Sequence, residues 1–494
     1  MSFNKPNVLF ISVDQWPAQL LGCAGHSAIE TPTLDRLAEV GTRFTNCYAE
    51  TPICIPSRRS MMTGASSRLH GDREFQPDLP MPRHLPTLAQ CFRDQGYQAY
   101  AVGKLHVYPP RDRIGFDDVW LSEEGRGQLG GPDDYEMFLA DEGFVGQQFL
   151  HGMSNNEYEW RSWHLPEHTH VTSWTTRTAA RMIKRRDPTR PGFWHVSYTP
   201  PHPPIVPLAS YMERYTRREM PSPLVSDWSR DIEQLPYVLR AVREYWRSLP
   251  PIQHADMLRA FLALCTHIDH QIRILIGTLR EEGLLDNTVL CFTGDHGDML
   301  GDHGLYAKRL MYEGSAKVPM IMVDVRHGTR LEAGGVDQRL MGLQDIMPSL
   351  LELAGLPVPE GLDGISVLSE QRRNIFYGES LTGVRASRMV RDARYKLIWY
   401  PAGNHFQLFD LEEDPQETID LVSDTRLEPV VARLKDALRE RLYGSDLEWV
   451  EGDCLVGVEA LAPERHDNRQ LSGQRGLHYP ELPKADPSVA VGSW

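Results

Sequence analysis

The chain has 494 residues, 41% hydrophobic and 24% charged, and its 52 basic and 67 acidic residues leave a formal net charge of −15. That length exceeds one ordinary core and calls for a large α/β domain with a smaller companion. The acidity argues against a nucleic-acid partner or avid binding to anionic membranes, and no apolar run is long enough to span a bilayer.

The seven cysteines are scattered, odd in number and without a CxxC pair, which fits a reducing, cytoplasmic setting better than a disulfide framework. The apolar patch at residues 8–11 is too short for a secretion signal, lacks a small-residue cleavage site and runs straight into Asp14, so it reads as the heart of a buried strand over residues 7–13. Its carboxyl end delivers Asp14 and Gln15, two oxygen-bearing side chains that could hold a hard cation or merely cap a turn. A compact helix follows over residues 32–40, with Thr31 as its expected cap, Pro32 at its start and Gly41 at its end. A strand over residues 43–48 then leads to Cys54-Ile55-Pro56-Ser57-Arg58. Pro56 suits the first turn of a helix and Gly64 suits its left-handed exit, which places Cys54 at an anion-attracting helix mouth with Arg58 one turn inside. By itself Cys54 reads first as a small buried hydrophobe.

A second helix over residues 87–95 leads through Gly96 into a strand over 98–102, which ends in Gly103-Lys104-Leu105-His106; alternation puts Lys104 and His106 on one side. Residues 110–190 are poorly patterned but rich in tryptophan and histidine, which suits either a pocket wall or insertion loops packed by their own aromatics. A strand over 192–198 opens into Thr199-Pro200-Pro201-His202-Pro203-Pro204, a rigid turn that holds His202 in one direction; His195, inside the strand, reads as structural. Residues 205–255 read as a long, charged connection. An apolar stripe from Leu258 to Leu279 predicts a helix over 257–282, and a strand over 289–292 then delivers Asp295-His296, with Lys308 following. Beyond a helix over 345–353 the rhythm changes to short strands near 375–378, 386–391 and 395–399 and an amphipathic helix over 427–442, which predicts a small α+β unit.

Taken together, Cys54-x-Pro-Ser-Arg58 with Thr63-Gly64, Gly96-Tyr97 through Gly103-Lys104-x-His106, the Asp295-His296-Gly run ending in Lys308, and Leu408-Phe409-Asp410-Leu411 ahead of Asp414-Pro415 resemble the signatures of the type I sulfatases. The resemblance implies an alkaline-phosphatase-like fold, a large mixed sheet flanked by helices over residues 1–370, then a smaller C-terminal domain with an antiparallel sheet over 371–450, and a tail over 451–494 that is either an oligomer arm or a loose end. It implies that Cys54 is oxidised to formylglycine by a dedicated cysteine-modifying enzyme. It also implies that Asp14, Gln15, Asp295, His296 and an oxygen on the Cys54-derived group hold one divalent cation: calcium first, with magnesium or manganese as alternatives. In such a site Arg58 orients the nucleophile, Lys104 and Lys308 neutralise sulfate, His202 or Lys308 protonates the leaving alcohol, and His106 takes the proton that expels sulfate. The implied activity is hydrolysis of an aryl or small alkyl sulfate by a homo-oligomeric enzyme. Two alternatives stay open: a phosphonate monoester or phosphodiester hydrolase of the same superfamily, in which the Lys104-x-His106 pair would be out of place, and a binding protein on an inactive sulfatase scaffold.

Overall fold

The structure, a computed structural model, describes residues 5–125, 130–153, 155–246, 249–326 and 331–461. Nine strands form a mixed sheet: β1 (Asn7–Val13), β2 (Thr42–Tyr48), β3 (Gln98–Gly103), β4 (Asp118–Leu121), β5 (Gly192–Tyr198), β6 (Thr288–Gly294), β7 (Lys317–Val318), β8 (Met320–Asp324) and β9 (Gly335–Gly342), with the order β4-β3-β5-β1-β6-β8-β2-β7 and β9 paired to β2. The run β4-β3-β5-β1-β6 is parallel throughout. β8 is antiparallel to both β6 and β2, so β2 again points the same way as β1. β9 is parallel to β2, so seven strands end on one edge of the sheet.

The centre of the sheet is apolar on both sides because helices cover both. Every residue of β1 is buried, as expected of a central parallel strand. Leu9, Ile11 and Val13 face a core that includes Leu258, Phe261, Leu262, Cys265, Ile268 and Ile272 of the long helix Pro251–Glu281, whereas Val8 and Phe10 face a core with Met61, Leu350 and Leu351. The predicted stripe on the long helix is the buried one, but the helix begins earlier than predicted, at Pro251. The stretch 110–190 is more regular than its sequence suggests: it holds β4 and the helices Asp134–Asp141 and Val171–Lys184. The 205–255 connection likewise contains a helix, Tyr237–Tyr245.

One capping expectation is corrected. Thr31 does not cap the helix Pro32–Val40 with its side chain; its hydroxyl donates to Asp35 Oδ1 at 3.1 Å. The helix is capped from outside the segment. Asp269, on the long helix, accepts from the backbone N–H groups of Thr33 (3.0 Å) and Leu34 (2.8 Å), doing across the interior what a local cap does along the chain.

A separate four-stranded antiparallel sheet follows: β10 (Phe376–Ser380), β11 (Ser387–Arg391), β12 (Tyr395–Tyr400) and β13 (His405–Asp410), in that order. Leu408, Phe409 and Asp410 end the edge strand β13, and the chain turns from Leu411 onward. The helix Glu428–Arg439 buries Leu434 and Leu438 against this sheet with Val390, Leu397 and Trp399. Lys396 of β12 ties the small sheet to the segment ahead of β7: its ammonium reaches Glu313 (2.6 Å) and the Met311 carbonyl (3.0 Å), and also Glu417 (2.7 Å) beyond β13. No helix among the described residues is long and apolar enough to cross a membrane. Most of the predicted tail, from residue 462 onward, lies outside the described residues.

Candidate active site

The shared strand edge gathers the predicted residues. Register pairs Val13 with both Tyr198 and Gly294, and Gly103 with Ser197, so the residues that follow these strands emerge side by side. The ladder runs one step past the strands: Asp14 N–H donates to the Tyr198 carbonyl (3.0 Å), Asp295 N–H to that of Val13 (3.0 Å) and Lys104 N–H to that of Ser197 (3.1 Å). Gly103 is required here. Its φ is +103°, and a Cβ would lie 1.9 Å from the Ser197 carbonyl oxygen.

β2 brings the chain to the same edge, and the helix Cys54–Thr63 starts there, buried along its entire length. Gly64 closes it in the left-handed conformation (φ 65°), with its N–H on the Ser60 carbonyl at 3.0 Å. Pro56 falls in the first turn, where its missing N–H leaves no bond unmade. Arg58 is the clamp of the site: Nε donates to Asp295 Oδ2 (2.9 Å), Nη2 to Asp14 Oδ2 (3.3 Å), and Nη1 to both the Lys104 carbonyl (2.7 Å) and Ser197 Oγ (2.8 Å). One guanidinium thus ties the helix to the ends of β1, β3, β5 and β6.

Asp14, Cys54, Asp295 and His296, all buried, place one ligand atom each within 4.8 Å of the others. Cys54 Sγ lies 3.1 Å from His296 Nε2 and 3.8 Å from Asp14 Oδ1. His296 Nδ1 faces the Gly297 carbonyl at 3.0 Å, which assigns the proton to Nδ1 and leaves Nε2 as the electron-pair donor toward the cluster. Burial disfavours charge on both carboxyls, yet they diverge. Lys104, His202 and Arg58 outweigh burial at Asp14 and hold its carboxyl well below the usual range, whereas burial and the neighbouring Asp14 charge push Asp295 up. Burial also pushes the Cys54 thiol up, but Lys308 and Lys104, then His296 and a hydrogen bond from His106, outweigh it and bring the thiol well below its ordinary value. A divalent cation fits this set: two adjacent buried carboxylates and an oriented imidazole are hard-to-borderline donors whose mutual repulsion a cation relieves.

The remaining predicted residues surround the cluster. Lys104 Nζ is 2.5 Å from Asp14 Oδ2 and 2.9 Å from Glu124 Oε2. Lys308 Nζ donates to Gln15 Oε1 at 2.8 Å and lies 2.6 Å from His202 Nε2. Gln15 Nε2 donates to Asp298 (2.5 Å) and Tyr158 (3.0 Å), so both ends of this amide have partners. His106, with φ 57°, sits edge-on to the Phe75 ring at 5.7 Å. His195 lies within the sheet on Ser12 Oγ at 2.9 Å and stacks on Phe10, as expected of a structural residue.

The sequence reading missed Glu123 and Glu124. They follow β4 just as Asp14 and Gln15 follow β1, and an acidic pair after a short strand was the available signal. Glu123 Oε1 accepts from the N–H groups of both Leu105 and His106 (2.8 Å each), which shapes the Lys104-His106 segment. Glu124 bridges Lys104 and His202, the latter at 3.1 Å. Asp298 and Tyr158, joined at 2.6 Å, were also missed. Of the aromatic, histidine-rich stretch, His151, Trp163 and His170 line a cavity of about 70 Å³ with Glu124 and His202, whereas Trp174 packs in the core beside Tyr135.

Residues 6–356 match the sulfatase family model, and residues 301–443 match that of the N-sulphoglucosamine sulphohydrolase C-terminal region. An arylsulfatase of Clostridium perfringens is 33% identical over 482 residues, covering 94% of this chain and 99% of the relative. A choline-sulfatase of Rhizobium meliloti is 28% identical over 452 residues, covering 86% and 84%. The crystal structure of the phosphonate monoester hydrolase of Agrobacterium radiobacter superposes with a TM-score of 0.77 at 24% identity, covering 90% of this chain and 98% of that one. A strand edge that collects two carboxylates, an imidazole, a cysteine and two lysines, on an alkaline-phosphatase-like sheet matched over most of its length, places the chain in the sulfatase family of hydrolases.

Proposed function

We propose that this hydrolase cleaves an aryl or small alkyl sulfate ester, with Cys54 as the precursor of the nucleophile. The observation that carries the reading is the placement of Cys54 Sγ within hydrogen-bond reach of His296 in a buried group with Asp14 and Asp295, under the field of Lys104 and Lys308. A thiol is the one soft donor in an otherwise hard set, and an oxygen in its place would complete a shell suited to calcium, magnesium or manganese. Asp14, Asp295 and His296, with Gln15 once its oxygen turns from Lys308, would hold the cation. Such an ion supplies Lewis acidity and lowers the pKa of a hydroxyl on the formylglycine hydrate.

The chain's own residues do the rest. Lys104 and Lys308 exchange their present carboxylate and amide partners for sulfate oxygens and offset the charge that builds in the transition state. Arg58, held at four points, keeps the two carboxylates apart and the helix mouth in register. Lys308, whose ammonium faces His202 Nε2 at 2.6 Å, donates a proton to the leaving oxygen either directly or through His202. His106, close enough to Cys54 to lower its thiol, is placed to take the proton whose removal expels sulfate.

The intact Lys104-His106 pair favours sulfate esters over the phosphonate esters of the structural neighbour. The test is a paired assay of 4-nitrophenyl sulfate and a phenylphosphonate monoester, with metal added or chelated, beside mass spectrometry of the Cys54 peptide. We expect metal-dependent sulfate release and a peptide lighter by the exchange of sulfur and hydrogen for an aldehyde oxygen. Full activity with only unmodified thiol, or far better turnover of the phosphonate, would overturn the proposal.

A further inference from the structure

Arg309 directly follows Lys308, and none of the roles above uses it. The residue is 6% exposed, and its Nε and Nη1 have no hydrogen-bond partner among the described residues. A buried guanidinium with open donors is unusual, because each N–H removed from water without replacement is a loss. Its backbone is also held against its own preference: φ is 76° at Arg309 and 62° at Ala307, the left-handed region that side-chain-bearing residues avoid. The Arg309 N–H donates to the Pro52 carbonyl at 3.0 Å, and this bond pins the strained residue beside the loop that carries Cys54.

The surroundings of the guanidinium point to an anion. Burial pulls its pKa down to about 10; the Cys54 charge acts against that, and the like charge of Arg385 adds to it. Glu74 and Tyr245 are close enough to be felt, but neither bonds it; Glu74 accepts from the Thr382 hydroxyl instead. The Phe75 ring, 6.0 Å from the Arg309 guanidinium carbon, also faces His106. Two neighbouring guanidinium groups, open buried donors and an aromatic face beside the reactive cysteine together form a binding site for an anionic group. The transferring sulfate already has Lys104 and Lys308, so this site suits a different part of the substrate.

We propose that Arg309, supported by Arg385 and flanked by Phe75, binds a second anionic group, a carboxylate or sulfate, on the aromatic leaving group of the substrate. This deepens the sulfate-ester reading above and rests on it. The experiment compares meta- and para-carboxyphenyl sulfates with their carboxamide counterparts on the metal-loaded enzyme. One charged ester should show a kcat/KM about tenfold or more above its carboxamide, mainly through KM. That ratio should collapse toward one in Arg309→Gln and fall in Arg385→Gln, the second variant serving if the first folds poorly. Calorimetry of the hydroxybenzoate products against hydroxybenzamides gives an independent reading, with binding expected only for the carboxylate and only with Arg309 present. Turnover of the neutral carboxamide esters reports on the sulfatase reading by itself. Equal rates for charged and neutral esters in the wild type would overturn the proposal, as would an equal loss on both in Arg309→Gln, which would assign the guanidinium to the transferring sulfate.

Discussion

Arg388 in the small sheet and Arg58 and Arg309 at the large sheet's edge are all buried arginines, and they are handled in opposite ways. Arg388 is fully enclosed and satisfied: Nε and Nη2 meet Asp446 at 2.6 and 2.9 Å, and Nη1 meets three backbone carbonyls, those of Ser380, Leu381 and Ser387. At the edge, Arg58 is satisfied by two carboxylates that themselves repel, and Arg309 is left with open donors. Charge in the small domain is closed on itself and serves cohesion. On the readings proposed above, charge at the edge awaits something that arrives later: a cation between Asp14 and Asp295, and anions at the lysines and Arg309. Binding sites are expected to carry such unresolved electrostatics, and structural networks are expected to resolve them.

Substitutions can break this contrast from either side. The largest effect should follow Cys54→Ala, which should lower kcat/KM for 4-nitrophenyl sulfate by about 10⁴-fold or more while the melting temperature holds or rises; near-normal turnover in this variant would remove Cys54 from the chemistry. Arg388→Ala should do the reverse. It takes both Arg388 bonds from buried Asp446 and leaves Arg73 as its one remaining cationic partner among the described residues, so chemical denaturation should show a loss of about 3 kcal/mol, with kcat of the folded fraction retained.

A smaller, pH-dependent effect belongs to Asp133, which accepts from the N–H groups of Glu123 (2.6 Å) and Glu136 (2.8 Å) and so anchors the turn carrying Glu123 and Glu124. Burial raises its carboxyl to about 7. A carboxyl raised on folding binds its proton more tightly in the native state, so its contribution to stability is greatest below about pH 4 and is lost as the pH rises toward 7. Asp133→Asn should flatten denaturation midpoints between those limits by on the order of a few kcal/mol, and an unchanged slope would contradict the assignment. The smallest effect is expected at the long-range cap: Asp269→Ala should cost about 1 kcal/mol, and Asp269→Asn less.

Much of the site was legible because strand ends and short motifs are local. Asp14, Lys104, His202 and Asp295 each follow a largely apolar run whose end the sequence marks, and Cys54 sits in a stretch whose proline and glycine announce a helix. Glu123 and Glu124 were not legible because β4 has only four residues in a stretch dominated by aromatics. Thr31 looked like a cap because capping is read locally, whereas the acceptor that caps this helix comes from the long helix, more than 200 positions along the chain.

The sequence alone determined the elements that flank the motifs, the chemical inventory and the family, because hydrophobic period, turn residues and motif spacing are properties of neighbours along the chain. Only the tertiary structure decided which side chains share a charge. It brought Glu124 between Lys104 and His202, turned both ends of Gln15 to partners away from the cluster, and left Arg309 with open donors beside Cys54. Burial and parallel register set those relations across distances that no local pattern spans.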